Sequence, residues 1–242
     1  MGSINVDGTL RLDRLPDRHE KLAAREAAIG GCGSASNTAV WLSRQGVSVR
    51  MLGWVRDDLL GASALRDLQA NAVETSGVKL LWVASPIAVC LAPPNDKRII
   101  ISPVSNAPWT PYDVMDFTEE VAWLHTTVRE LDFLSGARKL GRRLPTILSL
   151  ELDGRYDPTF AAAADYLFTN YDELTRALGT SDPIGFIAER HKSDAAIWFI
   201  THGENGAKAI SAGEVETVVI APVEPIDRTG GGDAFNAGVI AA

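Results

Sequence analysis

Two cysteines, Cys32 and Cys90, are all that 242 residues contain. So few, so far apart, exclude a disulfide framework and a thiolate zinc cluster. A reducing compartment is the expectation, and the chain is read as cytoplasmic. No uninterrupted apolar run approaches the ~20 residues of a membrane-spanning helix, and no signal-peptide pattern is visible. Basic charge is also scarce: 23 Lys and Arg stand against 31 Asp and Glu, a net charge of −8. A general nucleic-acid or anionic-membrane surface needs a basic face, so neither partner is expected. There is no internal repeat and no low-complexity tract. What remains is 46% hydrophobic content, enough to bury the core of one domain with an appendage.

Against that background one segment stands out, Asp227-Arg228-Thr229-Gly230-Gly231-Gly232-Asp233-Ala234-Phe235. Three consecutive glycines let the backbone turn tightly and leave their N–H groups unshielded. Where a helix begins there, those groups and the helix dipole make a socket for phosphate charge. Asp233 at its lip suits a base that takes the proton of an attacking hydroxyl. The other reading is a glycine turn whose aspartate only caps a helix. A second segment, Gly30-Gly31-Cys32-Gly33-Ser34-Ala35-Ser36-Asn37-Thr38-Ala39, places small residues and one amide at the head of an apolar helix. Such a pattern brings backbone close to a ligand and adds a group able to donate and accept.

The rest of the chain alternates strand and helix patterns, predicting an α/β fold with a mainly parallel sheet covered by helices. Val47–Leu52, Pro145–Leu152 and Ala195–Thr201 read as buried strands; Ala35–Gln45, Gly61–Ala72 and Tyr171–Leu178 read as helices. Tyr166–Phe168 is a short strand running to Asn170, which places Asn170-Tyr171-Asp172-Glu173 at a strand-to-helix turn, where open α/β sheets bind ligands. An Asn three residues before a Glu is equally a helix start. Residues 9–29 carry no helical signal, and Ile87–Ala92 with Arg98–Ser102 read as two strands joined through Pro93-Pro94-Asn95-Asp96. The run Arg138, Lys139, Arg142 and Arg143 reads as the solvated face of a helix.

Taken in order, these motifs resemble the ribokinase (PfkB) family of sugar and nucleoside kinases. Gly-Ser-Ile-Asn-Val-Asp at 2–7 is similar to the family's first strand end, residues 30–46 to its first signature, and 227–238 to its second. Asn170-Tyr171-Asp172-Glu173 matches its Asn-x-x-Glu, and Thr201-His202-Gly203-Glu204-Asn205-Gly206 its nucleotide-side glycine turn. Cys32, Arg56 and Arg228 depart from the usual small, glycine or β-branched residues. The family's strand before Gly-Ser-Ile-Asn and its helices beyond the second signature are not in the sequence, so a trimmed fragment that folds or works poorly alone is the expectation.

The resemblance implies an ATP-dependent kinase that phosphorylates a sugar or small polyol, the substrate bound between a main domain (1–8, 30–86 and 103–242) and a small β lid (9–29 and 87–102). Asp233 is implied as catalytic base, with Gly230, Gly231 and Gly232 as the anion hole. Asn5, Asp7, Gly31 and Asn37 are implied to bind the substrate, and Asn170, Thr201, Gly203 and Gly206 to line the nucleotide. Glu173 is implied to position magnesium through water, with Glu151 and Asp153 assisting. Arg129 is similar to an arginine of ketohexokinase-like members near the phosphates. Asp227 and Thr229 stand where some members bind potassium, and the lid is a dimerisation element in the family. A nucleoside kinase and a non-catalytic sugar-binding member are the alternatives.

Overall fold

The computed structural model describes residues 1–82, 85–94, 98–102, 121–141, 147–221 and 229–242. The chain divides into two compact units, Gly2–Ala107 and Pro108–Ala242 with Met1.

In the N-terminal unit, β1 (Asn5–Arg11), β2 (Glu26–Cys32), β5 (Ile87–Ala92) and β6 (Arg98–Ile101) form a sheet in the order β2-β1-β5-β6. β1 runs antiparallel to β2 and parallel to β5, and β6 returns antiparallel to β5. The strands pass through the boundaries expected at residues 8 and 30, so that residues 5–8 and 30–32 share one sheet with the segments expected to form the lid. Strand side chains alternate faces, and the register exploits it. Gly30, Asp7, Ala88 and Ile101 lie in one row; Ile29, Gly8, Val89 and Ile100 lie in the next, on the opposite face. That second row is apolar and open, with Ile29 72% and Ile100 64% exposed.

Two helices, α1 (Ser34–Arg44) and α2 (Leu59–Ala70), and the parallel pair β3 (Gly53–Arg56) and β4 (Val78–Leu81) complete the unit. Asp58 caps α2, its carboxylate accepting from the Gly61 N–H. Ile4 and Val6 pack with Ala35 and Ala39 of α1, Ala64 and Leu68 of α2, and Met51, Val55 and Val73. The strand expected over Val47–Leu52 is not formed. Met51 and Leu52 are buried as that reading required, but their backbone makes scattered contacts, Met51 N–H to Glu74 O, Glu74 N–H to Val49 O and Gly2 N–H to Leu52 O, with a single bridge at Arg50. A ladder needs a continuous neighbour, and the strand begins only at Gly53, where β4 supplies one.

The C-terminal unit is built on β7 (Trp123–Thr126), β8 (Ile147–Glu151), β9 (Tyr166–Asn170), β10 (Ile197–Thr201), β11 (Ala207–Ser211) and β12 (Glu214–Val218), in the order β12-β11-β10-β9-β8-β7. β7 to β10 are parallel, as the alternation predicts; β11 and β12 add an antiparallel hairpin. Its two-residue turn, Ala212 and Gly213, takes positive φ at both positions (49° and 84°), the twist a tight hairpin requires. β12 ends the strand order with every residue exposed, and Val219 beyond it is 79% exposed. The helices are α3 (Leu131–Gly141), α4 (Phe160–Ala163), α5 (Tyr171–Leu178), α6 (Pro183–Arg190) and α7 (Gly231–Ala241). Leu150, Leu167, Ile187 and Ile200 are wholly buried, each contributing about 1.5–3 kcal/mol of apolar burial. Arg138 is not on a solvated face: it is drawn in by an ion pair with Asp165, whose carboxylate also accepts from the Leu148 N–H at 2.9 Å. Arg142, Arg143, Asn95, Asp96, Asp227 and Arg228 lie outside the described residues.

One face of the six-stranded sheet carries a line of rings. Trp123 stacks on Tyr166 at 4.8 Å, Phe168 on Phe199 at 5.3 Å, and Phe235 of α7 meets Phe199 edge-on at 6.3 Å. Aromatics two residues apart share a strand face, so this line seats α7 against the carboxyl ends of β9 and β10.

Candidate active site

α7 opens at Gly230, which takes a left-handed φ of 74°. A side chain is disfavoured there, and glycine bears the conformation without strain. Gly231 and Gly232 begin the helix, and where a Cβ would stand on either there is no atom within 4 Å. The glycines therefore leave room for a ligand beside N–H groups that the helix itself does not use. Asp233, in the first turn, is 9% exposed. Asn236, one turn later on the same face, is 4% exposed and donates from Nδ2 to Glu151 at 3.4 Å. Sequence reasoning did not single out Asn236; its signal was the i, i+3 spacing from Asp233.

At the carboxyl end of β9, Asn170 caps α5 by accepting from the Glu173 N–H at 2.8 Å. The helix-start reading of Asn-x-x-Glu is formed, and the cap keeps Glu173 in the first turn beyond the strand end. The Glu173 carboxyl is pushed above its ordinary range, first by burial and then by the Asp153 and Glu151 carboxylates, against a hydrogen bond from Asn170. Such an excess of negative charge is what a cation relieves. Asp153 lies 3.3 Å from Arg129 Nη1, and Arg129 is largely enclosed, with Nε and Nη1 buried and without hydrogen bonds. Asp153 (φ 46°) and Gly154 (φ 71°) form a tight turn after β8, and a Cβ on Gly154 would stand 3.7 Å from Glu173 Cγ. Among the described residues, no three His, Cys, Asp or Glu side chains converge on a metal position.

Beneath this edge lies His125, 8% exposed, its Nδ1 2.9 Å from the Ser149 hydroxyl and its Nε2 3.8 Å from Glu151. Burial pushes its pKa down; the Met1 amino charge adds to that, and Glu151 opposes it.

The turn expected to line the nucleotide follows β10. Thr201 ends the strand, in register with Asn170. His202 donates its N–H to Gly206 O at 2.8 Å, and Gly206 returns a hydrogen bond to Gly203 O at 3.1 Å. Gly203 (φ 54°) faces open space, whereas a Cβ on Gly206 (φ 81°) would stand 2.0 Å from Val218 O. Gly206 is therefore demanded by packing and Gly203 by conformation alone.

In the N-terminal unit, Asn5 and Asp7 project from β1, each with its Oδ1 buried and without a hydrogen bond. A buried acceptor without a donor is costly in the absence of ligand, and adjacent hydroxyls of a polyol would satisfy both. Gly31 is placed differently. It pairs with Val6, hence on the other face of the sheet, and its N–H is taken by Asp67 of α2 at 2.6 Å. With Asn37 of α1 it lines a cavity of about 340 Å³ that also touches Trp41, Arg44, Asp67 and Asn71. Gly33, which sequence reasoning passed over, is the glycine whose conformation is obligatory: φ is 110°, and a Cβ would stand 2.5 Å from Ser3 O.

The chain is 29% identical to an ATP-dependent ribose-1-phosphate kinase of Halopiger xanaduensis, over 99% of this chain and 82% of that protein. It is 27% identical to the ribokinase of Bacillus subtilis, over 98% and 82%. The structure of Arabidopsis thaliana ribokinase complexed with ribose and ATP superposes with a TM-score of 0.77 at 21% identity, covering 99% of this chain and 83% of that one, a likeness of fold. The family profile described as pfkB family carbohydrate kinase matches residues 1–242. A ribokinase-like sheet with a glycine-opened helix at its carboxyl edge and a match without interruption lead to one conclusion: the chain belongs to the pfkB family of carbohydrate kinases, enzymes that phosphorylate sugars with ATP.

Proposed function

We infer that the protein transfers the terminal phosphoryl group of ATP to a primary hydroxyl of a sugar or related small polyol. The observation that carries the reading is the open N-terminus of α7, where Gly231 and Gly232 leave space beside buried Asp233. In the step proposed, the acceptor O–H gives its proton to the Asp233 carboxylate as the new O–P bond forms. The bond between the γ-phosphorus and the ADP oxygen breaks, and ADP leaves. The N–H groups of Gly230 to Gly232 hold the charge that develops on the transferring group. Asn170, Thr201, Gly203 and Gly206 line the nucleotide, and Arg129 adds a cation beside the phosphates. Asn5 and Asp7 take sugar hydroxyls.

Magnesium would be held beside Glu173, whose negative charge, raised in cost by burial and by the Asp153 and Glu151 carboxylates, it would offset. It supplies charge neutralisation of the phosphates, and because it keeps several waters, Glu173 would act through one of them. Potassium near Asp227 and Thr229 belongs to the same reading. A second copy of the chain, meeting the open row of Ile29, Val89 and Ile100, is the proposed partner.

The test is a panel of pentoses, hexoses, ketoses, ribose-1-phosphate and nucleosides, incubated with ATP and magnesium and read by product mass. One class of sugar phosphate is expected. Preferential turnover of a nucleoside would replace the sugar acceptor, and no turnover of any acceptor would leave a non-catalytic member.

A further inference from the structure

Arg129 follows β7 and brings a cation to the carboxyl edge of the sheet. Its side chain is 16% exposed, and Nε and Nη1 are buried without a hydrogen bond. The Asp153 carboxylate stands 3.3 Å from Nη1, an ion pair that lacks the geometry of a hydrogen bond. Asp153 is itself 69% exposed. A guanidinium keeps its charge at every working pH and presents its N–H donors as a planar fork, which a phosphate or carboxylate fills with two parallel bonds. Buried donors left without acceptors cost more than an ion pair with a water-exposed partner returns. An oxyanion that filled the fork would therefore displace Asp153, whose carboxylate loses little on turning to water.

Strand order decides which ligand the fork meets. The edge runs β10-β9-β8-β7, and α7 lies across its middle: Phe235 meets Phe199 of β10, while Asn236 reaches Glu151 of β8. The turns assigned to the nucleotide follow β9 and β10, at Asn170 and at Thr201 to Gly206. In phosphoryl transfer the attacking and leaving oxygens stand roughly in line, on opposite sides of the phosphorus. With ADP over β9 and β10 and the transferring group at the N-terminus of α7, the acceptor enters from the side of β8 and β7. Arg129 belongs to that side, and so does Asp153, which follows β8. A neutral sugar can be held there by hydroxyl-to-carboxylate bonds alone. An anionic one needs a cation, because the Glu151 and Asp153 carboxylates would otherwise repel it.

We propose that the acceptor carries an oxyanion of its own, a phosphate or a carboxylate, and that Arg129 selects it by exchanging Asp153 for that group. The inference rests on the kinase reading above. It narrows the acceptor from sugars at large to sugar phosphates and sugar acids that keep a free primary hydroxyl. The transfer step is unchanged: the primary hydroxyl is phosphorylated, and the anionic group elsewhere on the acceptor stays intact. Arg129 is a specificity residue, which meets the acceptor away from the reacting oxygen and takes no proton.

The experiment gives the full chain ATP, magnesium and matched pairs of acceptors: ribose and ribose-1-phosphate, fructose and fructose-6-phosphate, glucitol and gluconate. The anionic member of at least one pair should exceed its neutral partner in kcat/KM by about tenfold or more, the effect of a charge-assisted bidentate contact. A preference among the phosphates, among the acids or in both is the expected result and names the anion. In Arg129→Gln that preference falls to about unity, the KM for the anionic acceptor rising about tenfold or more and the KM for ATP rising less. Inorganic phosphate added to the wild-type protein competes with the acceptor. Should Arg129→Gln fail to fold, that competition and the wild-type preference decide together. Neutral acceptors that match or outrun their anionic partners overturn the proposal. So does phosphate inhibition competitive with ATP alone, or a variant whose loss falls on the KM for ATP, since either returns Arg129 to the nucleotide. No transfer to any acceptor overturns the kinase reading instead; calorimetric binding of the anionic sugars to wild type and to Arg129→Gln then decides the subsite by itself.

Discussion

Tyr171 and His202 lie face to face, ring centroids 3.9 Å apart and planes 7° from parallel. Each directly follows the last residue of a strand, Asn170 of β9 and Thr201 of β10, and those two residues are partners in the parallel register. The stack therefore locks together the two turns assigned to the nucleotide. Stacked aromatic pairs contribute about 0.5–1.5 kcal/mol beyond their burial. Tyr171→Ala is expected to raise the KM for ATP about three- to tenfold, with sugar KM and kcat little changed, whereas Tyr171→Phe behaves as wild type. Steady-state kinetics on the three proteins checks it; an unaltered ATP KM in Tyr171→Ala would move these turns out of the nucleotide site.

Asp233→Asn removes the proposed base while preserving size and burial. Turnover should fall on the order of 10²–10⁴-fold, the scale of a positioned acid or base, with ATP affinity by calorimetry nearly unchanged. Near-normal turnover in the variant removes Asp233 from that role.

Asp7 illustrates the opposite balance between stability and function. Its Oδ1 is buried without a donor, so the unliganded fold gains nothing from that atom. Asp7→Asn is expected to raise sugar KM at least about tenfold, the effect of a lost charge-assisted hydrogen bond, without lowering the melting temperature. A fall in melting temperature with unchanged sugar KM would show Asp7 to be a structural residue.

His125 gives stability a pH dependence. Burial lowers its folded-state pKa below the ordinary 6.5. Above that value the ring is neutral in both states. As pH falls through it, the unfolded chain takes up a proton that the folded chain refuses, so stability declines toward acid. Wild type should lose melting temperature between pH 7.5 and 5.5, and His125→Asn should lose less. Equal losses in the two proteins would exclude His125 as the source.

Much of this site is legible in the sequence because its motifs sit at strand ends. Tyr171–Leu178 forms the helix that its spacing predicts, and Ile197–Thr201 the strand. What the sequence concealed are properties of register and of long-range pairing. Gly31 and Asp7 look equivalent in the chain, yet pairing with Val6 turns one to α2 while the other faces the opposite way. Val47–Leu52 has the alternation of a strand and lacks a neighbour of matching length. Asn236 carries no motif at all; it meets Glu151 across 85 positions of sequence.

β12 has a consequence for handling the protein. It stands last in the order of its sheet, and a terminal strand offers a row of backbone groups to any passing chain. Glu214 and Glu216 give its first half a charged guard, since an incoming copy would bring like charges together. Val218, Val219, Ile220 and Ala221 follow with none. The two carboxylates repel the wrong neighbour, and added salt screens that repulsion while the uncharged tail keeps its attraction. Fibrous or amorphous association seeded at this strand is the hazard to expect when the protein is concentrated in high salt.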